Sequence, residues 1–161
     1  MKDHIKDFLE LIRLCSTQLP KDVEQRIAEF LEREDKGSTA KSILAQILKN
    51  CEMARERSLP ICQDTGTNLY WINYPPTMRE SEIREQIIES TKLATAKNYL
   101  RPNSVDSVTG KNTGDNVGEG HPAFHFHQWD KDFLQVTLML KGGGSENCGI
   151  QYRLPDARLN A

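Results

Sequence analysis

The sequence predicts an α+β fold in which N-terminal helices pack with a small, partly antiparallel sheet. Apolar residues recur at helical spacing through residues 1–58, whereas the later apolar runs are short or alternate with polar residues. No internal repeat is visible. The length of 161 residues suits one domain or part of a larger one, and it allows a hydrophobic core without disulfide bonds.

Three helices are expected in the first part of the chain. Apolar residues at helical spacing place the first helix over residues 3–18. Pro20 suits the first turn of a second helix, because its fixed φ is helical and its missing N–H is not needed there. Gly37 interrupts the pattern, and Ser38 is a suitable N-cap for a third helix that ends near Arg57.

The pattern changes at Pro60, because a helix interior does not tolerate proline. The aromatic stretch at residues 68–72 (NLYWI) predicts a strand. Thr77 and Glu80 have the spacing of a capping box, so a fourth helix is expected to begin nearby and to end near Asn98.

Two more strands are expected later in the chain. Residues 123–129 alternate between apolar and polar, and residues 133–140 form a second apolar run. The short charged segment 130–132 resembles the turn of a β-hairpin that joins them. Residues 101–121 are polar and glycine-rich without periodicity, which predicts a loop.

The charge balance excludes some classes of partner. The chain carries 21 Lys and Arg against 23 Asp and Glu, for a net charge of -2 and a pI near 6.1. A nucleic-acid binder usually has a basic excess, and no apolar run is long enough to span a bilayer. We therefore expect neither nucleic acid nor a membrane as a partner.

Four cysteines stand at positions 15, 51, 62 and 148. No C-x-x-C pair occurs, which disfavours a zinc ribbon or a thioredoxin-like site. The N-terminus leads into no signal-peptide core, so we expect a cytoplasmic protein whose thiols stay reduced. Cys15 and Cys51 fall in helical apolar stripes and are expected to be small core residues.

The segment from Pro60 to Thr67 concentrates functional groups in a tight bend. Cys62, Gln63 and Asp64 stand together there, ahead of a glycine. Such a bend can expose a thiolate for metal binding or nucleophilic chemistry. From the residues alone, an ordinary turn that leads into a strand is the more economical interpretation.

Two further segments are candidate binding loops. Residues 103–120 form an unusually long loop for a compact domain, although a plain surface loop is the alternative. Residues 141–147 (KGGGSEN) follow a predicted strand, and their backbone N–H groups favour binding of a carboxylate or phosphate over a simple turn.

His125 and His127 form an H-x-H pair whose rings lie on one face of a strand. A metal site would need a third ligand, and none is evident nearby. Two exposed strand histidines are the favoured interpretation.

Four motifs together resemble the α-type part of the iron–sulfur hydro-lyases, the class I fumarases and L-tartrate dehydratases. They are PICQDTGT at 60–67, YLRPNSV at 99–105, TGKNTGDN at 109–116 and KGGGSEN at 141–147. Their order and spacing also fit. The joint occurrence of C-Q-D-T-G and K-G-G-G-S-E-N is the specific part of the resemblance, which covers most of the chain.

The resemblance implies a 4Fe–4S cluster that is held by three cysteines. Cys62 stands where the family has its first cluster ligand, and the other two ligands are expected beyond residue 161. Cys148 matches neither of those positions. One cysteine cannot hold a cubane, so the isolated chain is expected to be inactive.

The resemblance also implies the substrate contacts. Gln63, Asp64 and Arg101 match residues that contact a dicarboxylate in the family, and Gly144 and Asn147 fall in the matching substrate loop. Asp64 is the expected catalytic residue, because a nearby carboxylate can move the proton of the leaving hydroxyl. Arg101 would hold a carboxylate through its planar fork.

The implied function is reversible hydration of fumarate to (S)-malate. The alternatives are an L-tartrate dehydratase α subunit, a non-catalytic binding or assembly module, and a simple carboxylate-binding protein. Residues 1–161 would form the N-terminal part of the α-type domain, with a helical lead-in at 1–58 and the cluster and substrate loops at 59–161. The expected partners are the rest of that domain and a β-type domain or subunit, in a homodimeric complete enzyme, with the general base outside this chain.

Overall fold

The computed structural model describes residues 2–65, 67–106, 108–143 and 149. Helices and a three-stranded mixed sheet confirm the predicted α+β class. The elements in chain order are α1 Ile5–Thr17, α2 Lys21–Arg33, α3 Thr39–Arg57, β1 Thr67–Tyr74, α4 Glu80–Ala96, β2 Ala123–Gln128 and β3 Gln135–Lys141. Among the described residues, no helix combines the length and apolarity needed to cross a bilayer.

The sheet has β1 in its centre, with the order β2-β1-β3. β2 runs parallel to β1 and β3 runs antiparallel to it. Tyr70 and Ile72 of β1 point to one face and are almost fully buried. Because β1 is covered on both edges and on that face, it holds the most buried residues of the sheet.

The expected hairpin between the last two strands is wrong. β2 and β3 are not neighbours, because β1 lies between them. The backbone N–H of Trp129 donates to the carbonyl of Tyr74 (3.0 Å), so the connection 129–134 passes over the end of β1. Strands two positions apart are separated by roughly 10 Å, which this short segment spans without difficulty.

One face of the sheet carries the helices α1 and α4. The main core cluster consists of Phe8, Tyr70, Ile72, Ile83 and Ile87. Burial raises the pKa of Tyr70 to about 12, so its hydroxyl remains protonated and accepts a hydrogen bond from the Asn68 amide (3.4 Å). The apolar positions that predicted these helices are therefore the residues that bury this face.

The helix starts agree with prediction at α3 and differ at α4. The Ser38 hydroxyl accepts from the Lys41 N–H (3.1 Å), which confirms the N-cap. α4 begins at Glu80 with Arg79 as its N-cap, and no side-chain hydrogen bond caps it. The capping box does not form because Thr77 lies inside a turn, in which the Met78 N–H donates to the Pro75 carbonyl (3.0 Å).

The predicted core cysteines are placed in the helices as expected. Cys51 is buried, and Cys15 is half-buried with its thiol 3.7 Å from the Leu138 carbonyl. Burial raises the pKa of both thiols, which keeps them protonated and unreactive.

The predicted loop at 101–121 is fixed to α4 by one buried side chain, Asn116. Its Oδ1 accepts from the backbone N–H groups of Asn103 (2.9 Å) and Ser104 (3.1 Å). Its Nδ2 donates to Thr95 Oγ1 (3.0 Å) and to the Arg101 carbonyl (2.8 Å). Asn116 also has φ +60°, a conformation that asparagine tolerates better than most residues. This amide therefore ties residues 101–104 to residue 116 and to α4.

We expect Asn116→Ala to lower the free energy of unfolding by about 3 kcal/mol, because it leaves several partners unsatisfied and places alanine at positive φ. Asn98→Ala is the matched control, since Asn98 has the same φ of +60° but is exposed. The control should cost about 1 kcal/mol. Urea unfolding of the two variants measures the difference, and equal losses would show that the Asn116 hydrogen bonds contribute nothing.

Candidate active site

The sheet topology brings three segments that are distant in sequence to one end of the sheet, where β1 and β2 begin and β3 ends. The start of β1 pairs with the end of β3, because Thr67 lies opposite Lys141 in the antiparallel register. β2 is parallel to β1, so the residues that precede Ala123 reach the same end. The bend before β1, the loop before β2 and the glycines after β3 therefore meet.

A cavity of about 680 Å³ opens where these segments meet. Seven of the ten described lining residues have polar side chains, and the lining comes from all three segments. The described lining residues are Gln63, Asp64, Thr67, Pro102, Asn103, Ser104, Val105, Asn112, His121 and Gly143.

The bend is fastened to the helices and to the neighbouring loop. The Ile61 N–H donates to the Ser16 carbonyl (2.9 Å) at the end of α1, and the Asn50 amide of α3 donates to the Ile61 carbonyl (2.9 Å). The buried Thr65 hydroxyl accepts from the Arg101 N–H (3.3 Å). The residues between these anchor points are therefore held in place without regular secondary structure.

Asp64 lies against Gly142 and Gly143, the first two glycines of the segment 141–147, which we call the glycine loop. The Gly143 N–H donates to Asp64 Oδ1 (3.3 Å). A Cβ added to Gly142 would come within 2.6 Å of Asp64 Oδ2 and 3.2 Å of the Asp64 carbonyl oxygen. Only glycine permits this approach, so the position of the carboxylate depends on the absence of a side chain at residue 142.

Gln63 and Cys62 stand at the open side of the same bend. The exposed Gln63 lines the cavity, and its carbonyl accepts from the Asn103 side-chain amide (2.9 Å). Among the three described cysteines, Cys62 alone is exposed. Within the part of the chain that the structure describes, no three His, Cys, Asp or Glu side chains gather into a metal site.

Arg101 is not among the residues that line this cavity. Its exposed side chain lines a smaller pocket of about 350 Å³ with Leu59, Pro60 and Asn98. Pro102 borders both spaces, so Arg101 stands on the adjoining surface. Its backbone is fixed by Thr65 and Asn116 on either side.

The predicted substrate-binding residues Gly144 and Asn147 lie outside the described residues, as does Cys148. Of the predicted set, the structure thus brings Gln63 and Asp64 together in one cavity, with Cys62 adjacent in sequence.

The histidine pair is exposed on β2, away from the cavity lining. His125 stacks on Trp71 of β1 with ring centroids 5.2 Å apart, and His127 is exposed next to it along the strand. Both histidines are exposed on a strand, as the sequence predicts.

Sequence reasoning assigned no role to several residues that shape the site. Asn103 and Asn116 fix the wall of the cavity, and His121 lines it. The concentration of asparagine and glycine in 109–116 was the available signal, because such residues form side-chain to backbone hydrogen bonds in irregular segments. His121 carried no signal in the sequence.

Comparison with known proteins agrees with the four motifs. The family model for fumarate hydratase (Fumerase) matches residues 5–160. A "Putative fumarate hydratase class I" of Geobacillus stearothermophilus is 47% identical over 155 residues, which cover 96% of this chain and 30% of that protein.

Two proteins named for L(+)-tartrate dehydratase are also similar. A "Putative L(+)-tartrate dehydratase subunit alpha" of Methanocaldococcus jannaschii is 33% identical over 145 residues, covering 86% of this chain and 50% of the relative. The "L(+)-tartrate dehydratase subunit alpha" of Escherichia coli K12 is 30% identical over 139 residues, covering 81% and 44%. The chain spans half or less of the length of each of these relatives. Because the family model matches almost its entire length, the chain belongs to the fumarate hydratase (Fumerase) family.

Proposed function

We propose that residues 1–161 are the N-terminal part of the α-type domain of a hydro-lyase that reversibly hydrates fumarate to (S)-malate. The observation that carries the proposal is the cavity in which Asp64 lies on the glycine loop, beside the exposed Cys62. The 47% identity to a protein named for class I fumarate hydratase supports fumarate as the substrate.

Cys62 is the residue of this chain that we assign to a 4Fe–4S cluster. Its thiol is exposed in the bend, whereas Cys15 and Cys51 are held in helices with pKa values raised by burial. A thiol must be accessible to reach iron, and Cys62 meets that condition. When bound, such a cluster supplies a Lewis acid that eases the loss of hydroxide. Two more cysteine ligands must come from outside the described residues.

We assign to Asp64 the transfer of the proton of the substrate hydroxyl. Its Oδ1 accepts from the Gly143 N–H, which fixes the carboxylate at the cavity wall. The carboxylate takes the proton of attacking water in hydration and returns it in dehydration. The base that removes the carbon-bound proton is assigned to the part of the enzyme outside this chain.

Four further residues are assigned to substrate binding. The Gln63 amide lines the cavity and can donate to a carboxylate or hydroxyl oxygen. Arg101, exposed on the adjoining surface, presents two parallel N–H donors to a carboxylate. Gly144 and Asn147 continue the glycine loop and are assigned by their match to the family motif.

The complete enzyme would contain the rest of the α-type domain and a β-type domain or subunit. Two relatives are named "subunit alpha", which supports a separate β subunit as the partner. We propose that the complete enzyme is a cytoplasmic homodimer. L-Tartrate dehydratase is the second candidate function, because those same two relatives carry that name at 33% and 30% identity.

The substrate is tested with the complete enzyme that contains this chain. We expect kcat/KM for L-malate to exceed that for L-tartrate by at least about tenfold, since a site that fits one set of polar groups discriminates against another. Steady-state assays on both acids at equal iron content measure the ratio. A preference for tartrate supports the second candidate, and a fully iron-loaded protein without either activity supports the non-catalytic module.

In the complete enzyme, Cys62→Ser should lose the iron–sulfur absorbance and most of the bound iron, because an alcohol is a poor ligand for this cluster. Cys15→Ser is the control and should keep both, since Cys15 is half-buried against β3. Iron and sulfide counts after anaerobic purification provide the measurement. Loss of iron in Cys15→Ser but not in Cys62→Ser would invert the assignment.

Gly142→Ala should lower kcat roughly 100-fold by displacing the Asp64 carboxylate, a loss within the range for general acid–base groups. Gly143→Ala should cost much less, because an added Cβ there meets no atom within 4 Å. Adding Asp64→Asn to Gly142→Ala should cause little further loss if the carboxylate is already displaced. Equal kcat values for the two alanine variants would contradict the argument.

A further inference from the structure

His121 lines the cavity, and its Nδ1 lacks a hydrogen-bond partner among the described residues. Its backbone is held in a bridge with Gly118, through N–H to carbonyl hydrogen bonds of 3.1 Å and 3.0 Å. The following residue, Pro122, is buried. The backbone that carries the ring is therefore fixed, whereas the ring makes no hydrogen bond with the described residues.

The Nδ1 atom of His121 is buried and lacks a hydrogen-bond partner among the described residues. An unsatisfied buried polar atom is destabilising, and such atoms in native proteins are commonly satisfied by a ligand or water. Two other described side chains have orphaned atoms, His4 and Asn68. Each of those two side chains makes another hydrogen bond, and neither lines this cavity.

Two of the amide side chains of the cavity wall, Asn103 and Asn112, are already engaged. The Asn103 amide donates to the Gln63 carbonyl (2.9 Å). The Asn112 amide donates to the Pro102 carbonyl (2.6 Å), and its oxygen accepts from the Gly114 N–H (2.7 Å). These groups hold the wall together, which leaves the Gln63 amide and the His121 ring available to a ligand.

The charge of the cavity points to the same residue. Asp64 contributes a carboxylate, and His121 is the single basic side chain among the described lining residues. A dicarboxylate that enters beside Asp64 is repelled by it and requires hydrogen-bond donors on its other side. Imidazole supplies such a donor in either its neutral or its charged form.

We propose that the His121 ring donates a hydrogen bond to a carboxylate oxygen of the four-carbon dicarboxylate. This inference rests on the proposed function. His121 is then a substrate-binding residue that fixes the end of the substrate away from Asp64. It contributes more to KM than to kcat, because the carboxylate that it binds does not change charge in the reaction.

The test compares three variants of the complete enzyme at equal iron content. His121→Phe keeps a planar ring without polar atoms and should raise KM for L-malate and fumarate at least about tenfold, with kcat within about threefold of wild type. His121→Asn keeps a side-chain N–H donor at this position and should restore KM to within about threefold. His125→Phe, on the exposed β2 histidine that stacks on Trp71, should behave like wild type.

A second measurement separates this inference from the proposed reaction. Calorimetric titration with succinate, a four-carbon dicarboxylate, should show binding that weakens at least tenfold in His121→Phe and returns in His121→Asn. Such binding without any hydratase activity in wild type would sustain the role of His121 and overturn the reaction. Unchanged KM and succinate affinity in His121→Phe, no succinate binding in wild type, or an equal loss in His121→Asn would overturn the inference.

Discussion

The pairing of β1 with β3 is the constraint on which the candidate site depends. Thr67 lies opposite Lys141, so the residues just before β1 and just after β3 must be neighbours. Tyr70 and Ile72 fix this register, because a slip of one residue would turn both out of the core. The contact between Asp64 and Gly142 therefore follows from the burial of β1, the strand that begins just after the bend.

This arrangement explains why a carboxylate stands three residues before β1 and a glycine stands directly after β3. The approach of 2.6 Å between Asp64 and a Cβ at residue 142 leaves glycine as the permitted residue there. Asn116 performs the corresponding task for the third segment through four hydrogen bonds. Packing thus determines two walls of the cavity, and side-chain to backbone hydrogen bonds determine the other.

The sequence predicted the elements well where burial imposes a period, as in α1, α4 and β1. It predicted the wrong neighbour for β2, because the segment 130–132 has the same local composition whether it closes a hairpin or passes over the end of β1. The capping box failed because Thr77 lies in the preceding turn. Motif resemblance predicted roles for Cys62, Gln63 and Asp64, and the structure places Gln63 and Asp64 in one cavity. The resemblance did not identify His121, because an isolated histidine in an aperiodic loop has no pattern, and its orphaned Nδ1 exists only in three dimensions.

Under the proposed function, the charge of the cavity indicates which tasks this chain performs and which fall to the rest of the enzyme. The described lining contains Asp64 and no lysine or arginine, although the substrate is a dianion. The Gly143 N–H donates to Asp64 rather than projecting free into the cavity. This wall is consequently suited to holding and moving a proton beside a Cys62-ligated cluster, and it is poorly suited to neutralising two carboxylates. Hydrogen-bond donors such as His121 and Gln63 can orient the substrate here. The compensating charge must then come from Arg101 on the adjoining surface and from the parts of the enzyme that close over this end of the sheet.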